Sequence, residues 1–314
     1  MDFIKALEDY PIIVTEGAII ESLKREYSIE LDTYIANAGL IYNSIHRELL
    51  AGIYRQYIDI TYERDLPILL FTPTWRANVE RIKQANIISK DINLDCFEFL
   101  AEIREKYGKY AEKIFIGGLI GCKGDAYKPE EALNTIESEE FHLYQIEHLV
   151  SAGVDFLIAD TLPAISEALG LAKVMAMTNK PYVISFVIRD NGTLLDGTSI
   201  TTAIKLIDSE VEPKPIGYTV NCVHPIILQK ALLNPINYFL DVKRMFGLMG
   251  NTSTKSPEEL DNATNLETEK PESWANQMVS LNQEFRMKIM GGCCGTNHHH
   301  IQALVNKIMI DESK

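Results

Sequence analysis

Short apolar runs that stop at a glycine, a cysteine or a small polar residue recur along the chain, and stretches of helical periodicity separate them. Eight such runs stand out: 11–18, 66–73, 114–121, 155–160, 182–188, 216–222, 245–251 and 288–294. Each has the length of a buried strand. Between them lie amphipathic segments such as 139–150, where Phe141, Leu143, Ile146, Leu149 and Val150 fall at helical spacing ahead of the stop signal Ala152-Gly153. Strands alternating with helices predict a parallel sheet, and eight repeats predict closure into a (β/α)8 TIM barrel of the α/β class. One barrel accounts for the whole chain, 1–314, as a single domain. The pattern is weakest over 252–282, which reads as a long polar loop.

A barrel of this kind builds its chemistry at the C-terminal ends of its strands. Those ends carry Glu16-Gly17, Thr72-Pro73-Thr74-Trp75, Gly121-Cys122, Asp160-Thr161, Ser185-Phe186, Cys222, Asn251 and Cys293-Cys294. Two carboxylates, three thiols and several hydroxyls would share one rim, a set suited to an amino acid that bears a thiol. Each member also has a plainer reading. Glu16 and Asp160 precede helical patterns and would serve as N-terminal caps. Thr72 and Thr74 would complete turns or hold a substrate carboxylate. Asn251 has no fixed role. His224 precedes a proline and reads as a turn residue, and Asp196-Gly197-Thr198 reads as a loop turn. His298-His299-His300 opens a final amphipathic helix marked by Ile301, Leu304, Val305 and Ile308, which makes the triplet a solvated first turn. Cys96 reads as helix core and Cys122 as packing.

Composition narrows the field. Hydrophobic residues make up 46% and charged residues 24%, as in an ordinary globular chain. No apolar run reaches the length of a membrane span, and the N-terminus has no signal-type segment, so a cytoplasmic protein is expected. A net charge of −14 and the lack of a basic stripe argue against nucleic acid as a partner. Five cysteines, an odd number that includes an adjacent pair, do not make a disulfide framework.

The thiols point instead to a metal. If the strands ending in Cys222 and Cys293-Cys294 lie side by side or one apart, three sulfurs meet on one ion, and thiolates select zinc. Three protein ligands leave the fourth place open for a substrate thiol. Zinc deprotonates a bound thiol, and the excess negative charge of a thiolate-rich site keeps that sulfur nucleophilic. Alkyl transfer to sulfur is the matching reaction.

At this point the residues resemble a known family. Gly-Gly-Cys-Cys-Gly-Thr at 291–296 with His300-Ile301, and Asn221-Cys222 after an apolar strand, are similar to the homocysteine S-methyltransferases. Weaker marks are 152–156, Thr161-Leu162-Pro163 with Glu167-Ala168, and Ser185-Phe186 leading to 195–198. The resemblance implies zinc on Cys222, Cys293 and Cys294, with homocysteine as the methyl acceptor and methionine as the product. It implies a substrate site including Glu16, Gly17, Thr72, Thr74, Asp160 and Asn251. Two departures bear on mechanism. Where the family has Asp-Gly and Glu-Thr at the first and fourth strands, this chain has Glu16-Gly17 and Asp160-Thr161, an exchange that nearly conserves the pair's combined reach around an ammonium. Arg76 stands where the betaine-using branch has a tyrosine able to close the zinc, and arginine cannot be that ligand. No folate or cobalamin module is present, which leaves a free small donor, S-methylmethionine or S-adenosylmethionine, for which Trp75 would offer a ring face. A thiol or selenol acceptor such as selenocysteine, and a zinc-binding barrel without turnover, are the alternatives. The oligomeric state stays open.

Overall fold

The computed structural model describes residues 1–238, 243–255, 259 and 268–312. Eight parallel strands close on themselves in sequence order: β1 (Ile13–Thr15), β2 (Ile68–Phe71), β3 (Ile114–Gly121), β4 (Phe156–Leu162), β5 (Tyr182–Phe186), β6 (Gly217–Val223), β7 (Met245–Gly250) and β8 (Ile289–Gly292). Around them, in chain order, lie α1 (Phe3–Asp9), α2 (Ile19–Arg25), α3 (Ser44–Tyr62), α4 (Val79–Gln84), α5 (Ile92–Glu105), α6 (Thr135–Ala152), α7 (Ile165–Ala176), α8 (Ile200–Glu210), α9 (Pro225–Leu233), α10 (Pro271–Phe285) and α11 (His298–Glu312). The predicted barrel is present, and most strands are trimmed at one or both ends relative to their apolar runs. The trimming matters at β8, because Cys293 and Cys294 sit just beyond the last strand residue, in a turn.

The period-two alternation of each strand sorts its side chains into two cores. Ile13, Leu69, Phe115, Phe156, Ile158, Val183 and Ile289 point into the barrel. Their neighbours Val14, Ile68, Leu70, Ile116, Leu157, Ile184, Leu248 and Met290 pack outward under the helices. At the N-terminal mouth Phe3 on α1 stacks on Phe156, with ring centroids 4.2 Å apart, and closes the barrel floor. Lys288 Nζ ties that helix down by donating to the Leu7 carbonyl.

Local signals explain the ends of α6. Asn134 caps α6 in a reciprocal capping box with Glu137, and Gly153 ends it in the left-handed region at φ 100°. The predicted polar loop over 252–282 is corrected in part. Residues 271–282 belong to α10, which Pro271 opens and whose buried Trp274, Ala275, Met278, Val279 and Leu281 form an apolar stripe that the many polar residues obscure. Residues 256–258 and 260–267 of that stretch lie outside the described residues.

Candidate metal and substrate site

The sulfurs of Cys222, Cys293 and Cys294 lie within 4.8 Å of one another, and Cys222 Sγ is 2.8 Å from Cys293 Sγ. Two backbone devices bring them together. At the end of β6 the register against β7 shifts between Asn221 and Val223, and Cys222 takes φ +56°, so a bulge turns its side chain toward the neighbouring strands. Such a conformation is rare for a residue with a side chain and persists only where surroundings enforce it. Here Asn251 Nδ2 donates to the Cys222 carbonyl (2.8 Å) and Asn251 N–H to that of Val223 (2.9 Å).

The second device is the glycine-rich turn after β8. A Cβ on Gly292 would lie 2.2 Å from Thr296 Oγ1, and Gly295 at φ +83° would bring one to 1.9 Å from Thr252 Oγ1, so neither position accepts a side chain. Cys293 N–H donates to the Gly250 carbonyl at 2.9 Å, and Thr296 Oγ1 donates to the Cys293 carbonyl at 2.7 Å. The thiols act as one group. Hydrogen bonds from Cys222 and then Cys293 hold the Cys294 thiol well below its ordinary range, while those linking Cys293 to Cys222 and Cys294 push Cys293 well up. Soft, clustered sulfur donors of this kind could hold a thiophilic metal ion.

The sulfurs face a cavity of about 260 Å³ at the C-terminal end of the barrel. Glu16, Gly17, Thr72, Trp75, Arg76, Tyr127, Asp160 and Asn221 are among its other lining residues. Glu16 and Asp160 are not helix caps. Glu16 Oε2 accepts from Phe71 N–H at 2.9 Å across to β2. Asp160 Oδ1 is buried without a hydrogen-bond partner. Neither acid is ion-paired among the described residues. Burial pushes Asp160 up to about 7, and burial followed by the Asp160 charge raises Glu16 well above the carboxylate range. Two desolvated acids on one wall, with no cation paired to them among the described residues, have the charge to match a cationic group.

Asp160 sits at the second bulge of the barrel, where the β4–β5 register shifts between Ala159 and Leu162 and Thr161 takes φ +63°. Asn221 joins the two bulges. Its Oδ1 accepts from Thr161 N–H and Ser185 Oγ, its Nδ2 donates to Thr161 Oγ1, all at 2.9 Å, and Nδ2 also reaches Cys222 Sγ at 3.5 Å. One buried amide thus ties together the bulge that carries Asp160 and the thiol of Cys222.

The other expected residues fall differently. Leu119 N–H donates to Thr72 Oγ1 (2.9 Å), the Thr72 and Thr74 hydroxyls are 2.7 Å apart, and Thr74 Oγ1 donates to the Leu119 carbonyl (2.7 Å). That closed ring spends both hydroxyl protons inside the protein, and Thr74 does not line the cavity, so neither threonine has a proton free for a carboxylate. Asn251 also stands outside the lining, buried behind Cys222. Trp75 lines the cavity with one ring face taken, because the Arg76 guanidinium stacks 4.0 Å from its ring centroid. His224 is buried, caps α9 and lies 3.0 Å from Glu269 Oε2. His300 is buried as well, with Nε2 3.0 Å from the Glu269 carbonyl, so only the first two of the three histidines remain open to solvent. Cys96 and Cys122 are buried in the outer core. Asp196 fastens a loop by accepting from Ile165 and Thr198 N–H.

Tyr127, which the sequence did not flag, also faces the sulfurs. The charge of Cys222 above all, then burial, raises its pKa and keeps the phenol protonated. Glu21 reaches the same turn, accepting from Gly295 N–H.

A parallel eight-stranded barrel with three clustered thiols and two acids at its C-terminal rim is a TIM barrel whose site could hold a metal ion. The homocysteine S-methyltransferase family model matches residues 13–308, and the chain belongs to that family. Among curated relatives, homocysteine S-methyltransferase YbgG of Bacillus subtilis (strain 168) is 23% identical over 311 residues, covering 95% of each chain. The homocysteine S-methyltransferase of Escherichia coli (strain K12) is 26% identical over 136 residues, 40% of this chain and 43% of its own. The crystal structure of the metallated form of the homocysteine methyltransferase MmuM from Escherichia coli superposes with a TM-score of 0.76 at 22% identity, covering 96% of this chain and 98% of that one. Its apo form gives 0.67 at 21% identity, covering 96% of this chain and 97% of that one. No helix among the described residues is long and apolar enough to cross a membrane.

Proposed function

We propose that this chain, acting as one barrel unit over 1–314 in the cytoplasm, methylates homocysteine to methionine from a small sulfonium donor, S-methylmethionine or S-adenosylmethionine, with zinc on Cys222, Cys293 and Cys294. The observation that carries the reading is the convergence of three thiols and two cation-free acids on one cavity. The donor set fits the metal: sulfurs sharing a tetrahedral zinc at about 2.3 Å stand about 3.8 Å apart, within the 4.8 Å spread of these three. Zinc bound there would supply deprotonation and orientation of the acceptor thiol.

The chain's own groups do the remaining work. Glu16 and Asp160 hold the acceptor's ammonium, and the ammonium in turn holds both acids ionised. Asn221 orients Cys222 and shields part of its charge by hydrogen bonding. Glu16, Glu21, Asp125 and Asp160 outnumber the single Arg76 on the wall, which favours a cationic donor over an anionic one. In the transfer, the donor's S–CH3 bond breaks as the acceptor's S–CH3 bond forms, the sulfonium leaves as a neutral thioether, and the thiol proton goes to solvent. Positive charge on the donor and negative charge on the acceptor cancel along the way, so a desolvated cavity accelerates the step.

The test incubates zinc-loaded protein with homocysteine and each sulfonium donor and measures methionine, with selenocysteine as a second acceptor and Cys222→Ser as the metal control. Methionine from one donor, together with loss of zinc and activity in Cys222→Ser, is expected. Stoichiometric zinc without methionine from any donor would mark a zinc-binding barrel without turnover. Undiminished zinc in Cys222→Ser would overturn the metal assignment.

A further inference from the structure

The loop between β3 and α6, residues 122–134, supplies Asp125, Ala126 and Tyr127 to the wall that also carries the three thiols. One side chain fastens both of its ends. Glu167 on α7 has no solvent exposure. Its Oε1 accepts from Lys123 N–H at 2.8 Å, at the start of the loop, and its Oε2 from Leu133 N–H at 3.3 Å, at the end. His142 Nε2 on α6, itself fully buried, lies 2.9 Å from the same Oε1. Smaller ties reinforce the bracket, with Ser166 Oγ donating to the Leu133 carbonyl and Ser138 Oγ to that of Glu167, both at 2.8 Å. From the other side Arg76 donates to the Gly124 carbonyl at 2.7 Å while stacked on Trp75.

A carboxylate this deep is retained only where its lone pairs are matched, and Glu167 spends them on the backbone of one loop. It does not line the cavity, so whatever it does for the site it does through that loop. Arg76 gains a role by the same logic: it holds a loop carbonyl beside the cavity rather than reaching for a metal.

We propose that Glu167 is a positioning residue which, by bracketing both ends of 122–134 with Arg76 as a counter-tie, holds Tyr127 beside the sulfur cluster and so completes the acceptor pocket. The pocket's occupant rests on the homocysteine reading above; the bracket itself does not.

The experiment measures amide exchange of zinc-loaded Glu167→Gln and Glu167→Ala, together with zinc content and homocysteine affinity. Exchange within 122–134 is expected to quicken on the order of tenfold in Glu167→Gln and further in Glu167→Ala. Zinc should stay at the wild-type level while homocysteine binds several-fold more weakly. If either Glu167 variant fails to fold, Arg76→Gln loosens the same loop from its other side and carries the same expectation. Unchanged exchange in 122–134, or a loosened loop with wild-type homocysteine affinity, overturns the proposal. Should the wild-type protein itself bind no homocysteine, the substrate reading falls, and the exchange data alone decide whether the bracket exists.

Discussion

Asp160 is the residue at which binding competes most directly with stability, and Asp160→Asn exposes the competition. Burial raises its pKa from 3.8 to about 7, so the folded protein binds a proton there that the unfolded chain releases. A raised carboxylate favours folding below its unfolded pKa, and that contribution is lost as pH climbs through 4 to 7. With a tenfold change in proton affinity worth about 1.36 kcal/mol, the full penalty at pH 8 is about 4 kcal/mol. Partial exposure through the cavity mouth trims it to between about 2 and 4 kcal/mol. Asparagine has the same shape and carries no charge, and Oδ1 has no partner to strand. Metal-free, reduced Asp160→Asn should therefore be more stable than wild type by about 2–4 kcal/mol at pH 8, with the gain shrinking to about 1 kcal/mol near pH 5. Urea unfolding followed by tryptophan fluorescence at the two pH values measures both. Relief of repulsion on Glu16 acts in the same direction. The zinc-loaded variant should gain far less stability from added homocysteine than wild type does, because ligand stabilisation tracks affinity. Asp160→Asn less stable than wild type at pH 8, or a gain independent of pH, would refute the reasoning.

Two further outcomes follow from the geometry. Because Glu16 and Asp160 face one cavity, the KM for homocysteine in Glu16→Asp, Asp160→Glu and the double exchange should be non-additive, with a coupling of about 0.5–3 kcal/mol; additivity would place the ammonium on one acid alone. Asn221→Ala leaves the Thr161 N–H and the Ser185 hydroxyl without their acceptor, so it should cost about 2–4 kcal/mol of stability and weaken zinc retention measured by chelator competition, while Ser280→Ala, on the exposed side of α10, changes neither.

The trithiol was legible in the sequence because a parallel barrel delivers every strand's C-terminal end to one rim. Once eight apolar runs are recognised, a cysteine at the end of the sixth and two after the eighth must face the same mouth, whatever the details of packing. The two acids at the first and fourth strand ends were placed by the same rule. The glycines around Cys293-Cys294 were legible as a tight turn, though not the threonines they approach.

What the tertiary structure decided is which polar groups had protons and lone pairs left over. Thr72 and Thr74 sit at the rim as their positions require, yet they close a ring with Leu119 that no local pattern announces. Asn251 and Asn221 are both amides near Cys222, and only the bulges, with φ +56° at Cys222 and +63° at Thr161, send one behind that thiol and the other between the two bulges. Arg76 turns to a loop 46 to 48 residues away along the chain, and α10 hides its apolar stripe among polar residues. Periodicity reports which face of an element is buried. It is silent on hydrogen bonds that join residues far apart in sequence, and in this site those bonds determine which side chains remain free to meet a substrate.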